Sequence, residues 1–189
     1  MPIDKDDIND DVSLVAAFKQ GENPELPYTR IVKKYQEKLY WHIRRLVVDH
    51  ENANDVLQNT FIKVWKNLAS FREDSALYTW LYRIATNESL TFLTQQKKKS
   101  SLSIDNEVLD LSNKIKAEQN FDSKRLEWRL QLAIQQLPEK QRAVFTLRYY
   151  DEMPYAEISA ILDTSEGALK ASYHHAVKKI ETYMLNHID

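Results

Sequence analysis

The sequence predicts an all-α protein built as two small helical domains joined by a flexible linker. Apolar residues recur at three- and four-residue steps from Thr29 to Leu93 and again from Lys124 onward, without period-two alternation. Glycine occurs twice in 189 residues, at Gly21 and Gly167. That is too sparse for the turns of a sheet-rich fold or the phosphate loops of nucleotide-binding folds. Between the periodic blocks, TQQKKKSSLSIDNEVLDLSNKIKAEQNFDS (94–123) is polar and weakly periodic. The chain divides into an acidic N-terminal segment (1–25), a first helical domain (26–96), a linker (97–123) and a second helical domain (124–189).

In the first segment, Val12, Leu14, Val15 and Phe18 form an apolar patch that predicts a short helix ending at Gly21, in what otherwise reads as a solvated tail. The next helix begins near Thr29, where Val32, Tyr35, Leu39, Ile43, Leu46 and Val47 follow the helical period. A second spans about Asn52–Ala69, with Val56, Leu57, Phe61, Val64, Trp65 and Leu68 facing inward. A third spans about Ala76–Leu93, with Leu77, Leu81, Ile84, Ala85 and Phe92 on one side and Thr79, Tyr82, Arg83, Thr86 and Asn87 opposite. The linker carries a short helix near Asn113–Gln119. In the second block, Pro138 and Pro154 stand where a first helical turn tolerates proline.

The clearest local pattern in that block is PYAEISAILDTSEGALKASYHHAVKKI (154–180). A short helix, Pro154–Leu162, precedes a tight turn at Asp163-Thr164-Ser165, and Ser165 suits the cap of a second helix. Leu169, Tyr173, Ala176, Val177 and Ile180 form that helix's apolar stripe. The opposite face gathers Gly167, Ala168, Ala171, His174, His175 and Lys178, with Lys170 and Ser172 at its margins. This is a helix-turn-helix pattern suited to a major groove: small residues allow close approach, and imidazoles and lysines meet bases or phosphates.

Composition excludes several chemistries. Without cysteine there are no disulfides, thiolate metal sites or cysteine nucleophiles, which fits a reducing cytoplasm. No apolar stretch approaches the about 20 residues of a membrane-spanning helix, and the acidic start lacks the layout of a secretion signal. The expectation is a cytoplasmic protein without membrane insertion. Net charge is −2, but unevenly spread: residues 1–30 carry −4, 31–100 carry +5, 101–124 carry −2 and 125–189 carry −1. Such a chain holds free DNA weakly on its own, so a DNA role requires a partner.

Residues 52–93 combine an amphipathic helix, the polar loop Phe71-Arg72-Glu73-Asp74-Ser75, and a helix in which Tyr78, Trp80 and Tyr82 lie beside Arg83. Aromatic rings interleaved with cations suit single-stranded nucleic acid, where bases stack on rings for about 1–3 kcal/mol each. In that run, D-V-L-Q-N-T-F-I-K-V-W followed by F-R-E-D-S-A-L-Y-T-W-L-Y-R-I-A-T-N resembles the signature of extracytoplasmic-function sigma factors. The helix-turn-helix behind L-P-E-K-Q-R-A-V-F-T-L-R-Y-Y resembles the same family's C-terminal domain. The two matches cover about residues 28–93 and 125–185, in the family's order and spacing.

The resemblance implies a region 2 helical bundle and a region 4 helix-turn-helix, with core RNA polymerase (its largest and second-largest subunits), promoter DNA and an anti-sigma factor as partners. It implies no catalytic residue, metal or cofactor. Asp55, Gln58, Asn59, Thr60 and Lys63 match the surface that docks on the clamp helices of the largest subunit; Asn59 stands where the family usually carries glutamate. Phe71, Arg72, Glu73, Asp74, Ser75 and Ala76 match the loop that captures a flipped base of the minus-ten element. Tyr78, Trp80, Arg83 and Asn87 match the helix that melts and recognises that element. Lys170, Ala171, Ser172, His174 and His175, flanked by Gly167 and Lys178, fall at minus-thirty-five reading positions where many relatives carry arginines.

The linker, a coil of about 30 residues, averages about 30 Å end to end and reaches about 100 Å fully extended. It spans two promoter elements only when something holds it stretched, as the polymerase does in this family. Two other classes fit less well. A helix-turn-helix regulator acting without polymerase leaves residues 52–93 unexplained. A helical enzyme would draw on Glu37, His42, Asp55 and Glu88, which show no acid–base or metal-ligand spacing.

Overall fold

A computed structural model of the chain describes residues 5–21, 23–99 and 125–186. Every regular element among them is helical. The acidic start folds as α1 (Lys5–Gln20), closed by Gly21 at φ +82°. It is no solvated tail. Leu14, Val15 and Phe18 are buried, and Asp11 accepts hydrogen bonds from the Tyr35 hydroxyl (2.5 Å) and Lys34 Nζ (2.8 Å). The apolar patch outweighs the surrounding charge because the next helix offers both an apolar stripe and a partner for the buried Asp11 carboxylate.

That next helix is α2 (Glu25–Val47), with Pro27 in its first turn and Ile31, Tyr35, Leu39, Ile43 and Leu46 buried along one face. It ends at Val48, held at φ +69°, a conformation β-branched residues rarely adopt. Val48 is nonetheless buried, clustered with Leu132 and packed near Tyr183. Asp49 then caps α3 (His50–Asn67), its carboxylate accepting from the Asn52 N–H at 3.0 Å. A 3-10 turn, Leu68–Ser70, delivers the chain to the loop before α4 (Leu77–Lys99). α4 continues through Thr94–Lys99, where composition predicts linker, because Gln and Lys favour helix even without an apolar face. Residues 100–123, including the expected helix near Asn113–Gln119, lie outside the described residues.

The second block comprises α5 (Arg125–Gln135), α6 (Glu139–Phe145), a π-helical turn (Thr146–Tyr150), α7 (Tyr155–Leu162) and α8 (Glu166–Asn186). Pro138 and Pro154 occupy the N-cap positions of α6 and α7, one residue before the expected first turn. Asp163 closes α7 in the left-handed conformation at φ +49°, and the Ala168 N–H approaches Ser165 Oγ at 3.4 Å, forming the turn of the helix-turn-helix.

The two blocks pack against each other. Val144, Leu147, Met153, Ile158, Ile161 and Leu169 share one hydrophobic cluster with α1–α4. Burying a side chain of this size contributes about 1.5–3 kcal/mol, against about 0.5–1.5 kcal/mol net for a hydrogen bond. Apolar burial therefore supplies most of the adhesion, and polar bonds fix the register. Arg142, buried on α6, donates to the Leu46 carbonyl at the end of α2 (2.9 Å) and to the Gln135 carbonyl at the end of α5 (2.8 Å). A cation there meets the negative end of each helix. Burial pushes its pKa down to about 10, with Glu139 opposing.

Candidate nucleic-acid and partner interfaces

On α3, Asp55, Gln58, Asn59 and Lys63 are exposed along one face, beside Ile62 (45% exposed) and Trp65 (39% exposed). Thr60 is different. It is fully buried and donates its hydroxyl to the Val56 carbonyl at 2.7 Å, so in this fold it shapes the helix and presents nothing to a partner. Trp65, expected in the core, instead sits edge-on to Phe18 (5.3 Å) and Tyr28 (4.8 Å), with α1 and α2 beneath it. Lys63 pairs with Glu88 across to α4.

A pocket of about 360 Å³ opens where Lys63 and Asn67 of α3, the Ser70–Ser75 loop, and Trp80, Arg83 and Ile84 of α4 converge. It collects Phe71, Arg72, Asp74, Ser75, Trp80 and Arg83 from the expected minus-ten set; Glu73, Ala76, Tyr78 and Asn87 are not among its lining residues. Phe71 is buried, its ring centroid 4.9 Å from that of the half-buried Trp80, so it supports the indole and is itself little available. Arg72 and Asp74 project outward and pair with each other at 3.2 Å. Glu73 takes a left-handed φ of +61°. Lys19, at the end of α1, donates to the Phe71 carbonyl and to Glu73 Oε1, both at 2.7 Å.

Helical geometry splits the expected α4 set. Trp80, Arg83 and Asn87 lie within a 60° sector on the outer side, with Arg83 and Asn87 exposed. Tyr78 faces the other way and is buried, with Glu157 of α7 near its ring. Desolvation, then Glu157, pushes its pKa up to about 12. Thr79, Tyr82 and Thr86, which the sequence assigns to the open side, are buried as well. Burial first, then Asp151, raises the Tyr82 pKa, with Arg45 opposing. The His42 ring packs edge-on to Tyr82 at 5.0 Å. Its Nε2 meets Thr86 Oγ1 at 2.9 Å, and its Nδ1 meets Asp151 Oδ2 at 2.7 Å. The second block covers this side of α4, which a helical wheel of one block alone does not reveal.

On α8, Gly167, Lys170, Ala171, His174, His175 and Lys178 are exposed, Ser172 is half-buried, and Leu169, Ala176 and Ile180 are buried. Lys170 lies 5.6 Å from the centre of the Tyr155 ring and 3.5 Å from Glu166. His174 and His175 have ring centroids 6.1 Å apart. Among the described residues, no group of three or more His, Cys, Asp or Glu is placed to hold a metal ion, and no helix is long and apolar enough to cross a membrane.

Sequence reasoning missed Lys19, Arg142, Asp151 and Glu157, all of which join segments distant in sequence; it named His42 only as an imagined catalytic group. The basic residue in the last turn of α1 was a visible signal for Lys19, but its target was not.

The Sigma-70 region 2 family model matches residues 31–99, and the Sigma-70, region 4 model matches residues 127–180. Over 179 residues, 90% of this chain, the sequence is 32% identical to the RNA polymerase sigma-H factor of Pseudomonas aeruginosa, covering 92% of that protein. It is 32% identical to the ECF RNA polymerase sigma-E factor of Haemophilus influenzae, covering 93% of it. Identity to the Escherichia coli K12 protein of the same name is 33%, with 92% of it covered. Among solved structures, CnrH in complex with the cytosolic domain of CnrY matches 95% of this chain and 99% of its own at a TM-score of 0.69 and 20% identity. The sigma factor RpoE in complex with the anti-sigma factor NepR, from Bartonella quintana, matches 85% and 98% at 0.62 and 21%. At those identities the likeness is one of fold.

Proposed function

Since this chain belongs to the sigma-70 family and is an RNA polymerase sigma factor of the extracytoplasmic-function type, we propose how its own residues divide that work. Asp55, Gln58, Asn59 and Lys63 dock the core enzyme, with Ile62 supplying apolar contact at the centre of the patch. The pocket between α3, the Ser70–Ser75 loop and α4 receives an unstacked base of the minus-ten element. Trp80 stacks on the opened strand, while Arg83 holds its phosphates. The outer face of α8, from Gly167 to Lys178, enters the major groove at the minus-thirty-five element. The chain supplies recognition and strand opening, leaves bond formation to the core enzyme, and works in the cytoplasm.

The observation carrying this reading is the pocket, which gathers a cation, a backed indole and a polar loop from three separate elements. Residues 26–96 act as the core-docking and minus-ten module, and residues 124–189 as the minus-thirty-five module. Their packed arrangement covers Tyr78, so initiation requires them to part. An anti-sigma protein that favours the packed form is the expected regulator, because RpoE is solved in complex with the anti-sigma factor NepR and CnrH in complex with the cytosolic domain of CnrY.

Run-off transcription from a promoter library, using core polymerase with and without the chain, tests the assignment. The chain is expected to raise transcript from a subset sharing two sequence elements; a library in which no promoter gains transcript overturns it.

A further inference from the structure

Helix α1 lies outside the residues matched by the region 2 model, which begin at residue 31. It is nevertheless firmly seated: Leu14, Val15 and Phe18 are buried, and Asp11 is bonded to Tyr35 on α2. Its last turn carries Lys19, whose ammonium reaches 52 residues along the chain to the Phe71 carbonyl and also to the Glu73 carboxylate. These are the two ends of the turn that carries Arg72. Beyond the buried Phe71 the loop is open, with the side chains of Arg72 and Asp74 85% and 73% exposed. Glu73, held at φ +61°, relaxes readily unless something fixes it.

We propose that Lys19 is a positioning residue for the base-reading loop, so that α1 takes part in minus-ten discrimination without touching DNA. The proposal rests on the reading of that loop given above. Lys19 fixes one rim of the pocket from a rigid base. The carbonyl contact sets where Phe71 turns, and therefore how it backs Trp80; the carboxylate contact holds Glu73 in its left-handed turn. An ion pair this exposed adds little to folding stability. The expected effect therefore falls on loop geometry and promoter choice, and leaves the fold intact.

The test uses the full chain with core polymerase on promoters carrying each of the four bases at every minus-ten position. Lys19→Met keeps the aliphatic stem and removes the donor. It is expected to reduce discrimination at one minus-ten position by roughly fivefold or more, with core affinity, melting temperature and minus-thirty-five preference unchanged. Lys19→Arg, which retains several donors, is expected to restore it, and Glu73→Gln to reproduce part of the loss. Discrimination unchanged in Lys19→Met, or activity lost equally on every promoter, overturns the proposal. A wild-type chain without base preference at the minus-ten element instead overturns the underlying loop assignment, so the two failures are distinguishable.

Discussion

His42 Nδ1 lies 2.7 Å from the carboxylate of Asp151, joining α2 to a residue 109 positions further along the chain. Both side chains are almost completely buried, and Arg45 approaches the same carboxylate at 3.6 Å. Asp151 follows the π-helical turn, whose wide bond from the Asp151 N–H to the Thr146 carbonyl closes the helix there. On its other side, His42 reaches Thr86, so one imidazole ties α2, α4 and the second module together.

Replacing His42 with Ala leaves Asp151 buried with only the longer contact to Arg45. The packed arrangement is expected to weaken by about 1–3 kcal/mol, a roughly 5- to 150-fold shift toward separated modules. The chain has no cysteine, so Glu37→Cys and Glu181→Cys give two clean labelling positions. Energy transfer between them should fall in His42→Ala, and an unchanged distance distribution contradicts the expectation. His42→Ala/Asp151→Ala should cost less than the sum of the single changes.

Tyr78 supplies a pH dependence. Its pKa is pushed up to about 12 in the packed form, mainly by burial and next by the Glu157 carboxylate; once uncovered it returns toward the ordinary 10. A raised pKa means the packed form holds the proton more tightly. The contribution of Tyr78 is thus complete below pH 10 and fades as pH rises from 10 through about 12. The labelled protein should open over that interval, and Tyr78→Phe should remove that component. Identical profiles for the two proteins contradict the prediction.

Phe71 and Trp80 should separate two effects that resemble each other in transcription assays. Trp80→Ala is expected to reduce permanganate reactivity of minus-ten thymines roughly fivefold or more, from the loss of about 1–3 kcal/mol of stacking, with core affinity unchanged. Phe71→Ala removes the ring that backs the indole. It should depress the same signal while also lowering thermal stability by about 3–5 kcal/mol. Equal stability losses in both variants contradict this division.

Thr60 and Asp55 provide a matched pair on α3. Asp55 is exposed and Thr60 fully buried, with its hydroxyl on the Val56 carbonyl. Asp55→Lys is expected to weaken core polymerase binding about tenfold or more by placing like charge against a complementary surface. Thr60→Val should leave that affinity within about twofold, because a carbonyl bonded within the helix tolerates losing a second donor. Titration of labelled core enzyme reads both.

On α8, Lys178 should act through phosphate, and His174 through base edges. Lys178→Ala is expected to weaken promoter binding on all sequences and reduce the salt-dependence slope by about 1. His174→Ala should instead alter base preference at one minus-thirty-five position while leaving the slope nearly unchanged. Both residues are exposed, so neither change should disturb the fold.

The periodicity of α2, α3 and α4, the turn at Asp163, and the outward face of α8 were legible in the sequence because each depends on neighbours three or four residues away. The amino-acid order alone also carried both family motifs, and with them the class of the protein. It did not reveal the seating of α1, the burial of Thr79, Tyr82 and Thr86, or the bonds made by Lys19, Arg142 and Asp151. Those depend on which surfaces meet across separations of up to 109 residues, and local composition contains no record of such meetings. An aspartate looks solvated until a tyrosine hydroxyl from another helix reaches it, and a tyrosine on a polar face looks exposed until a second module covers it. Side-chain pattern set the helices; burial between distant segments decided which of their faces remain free to bind.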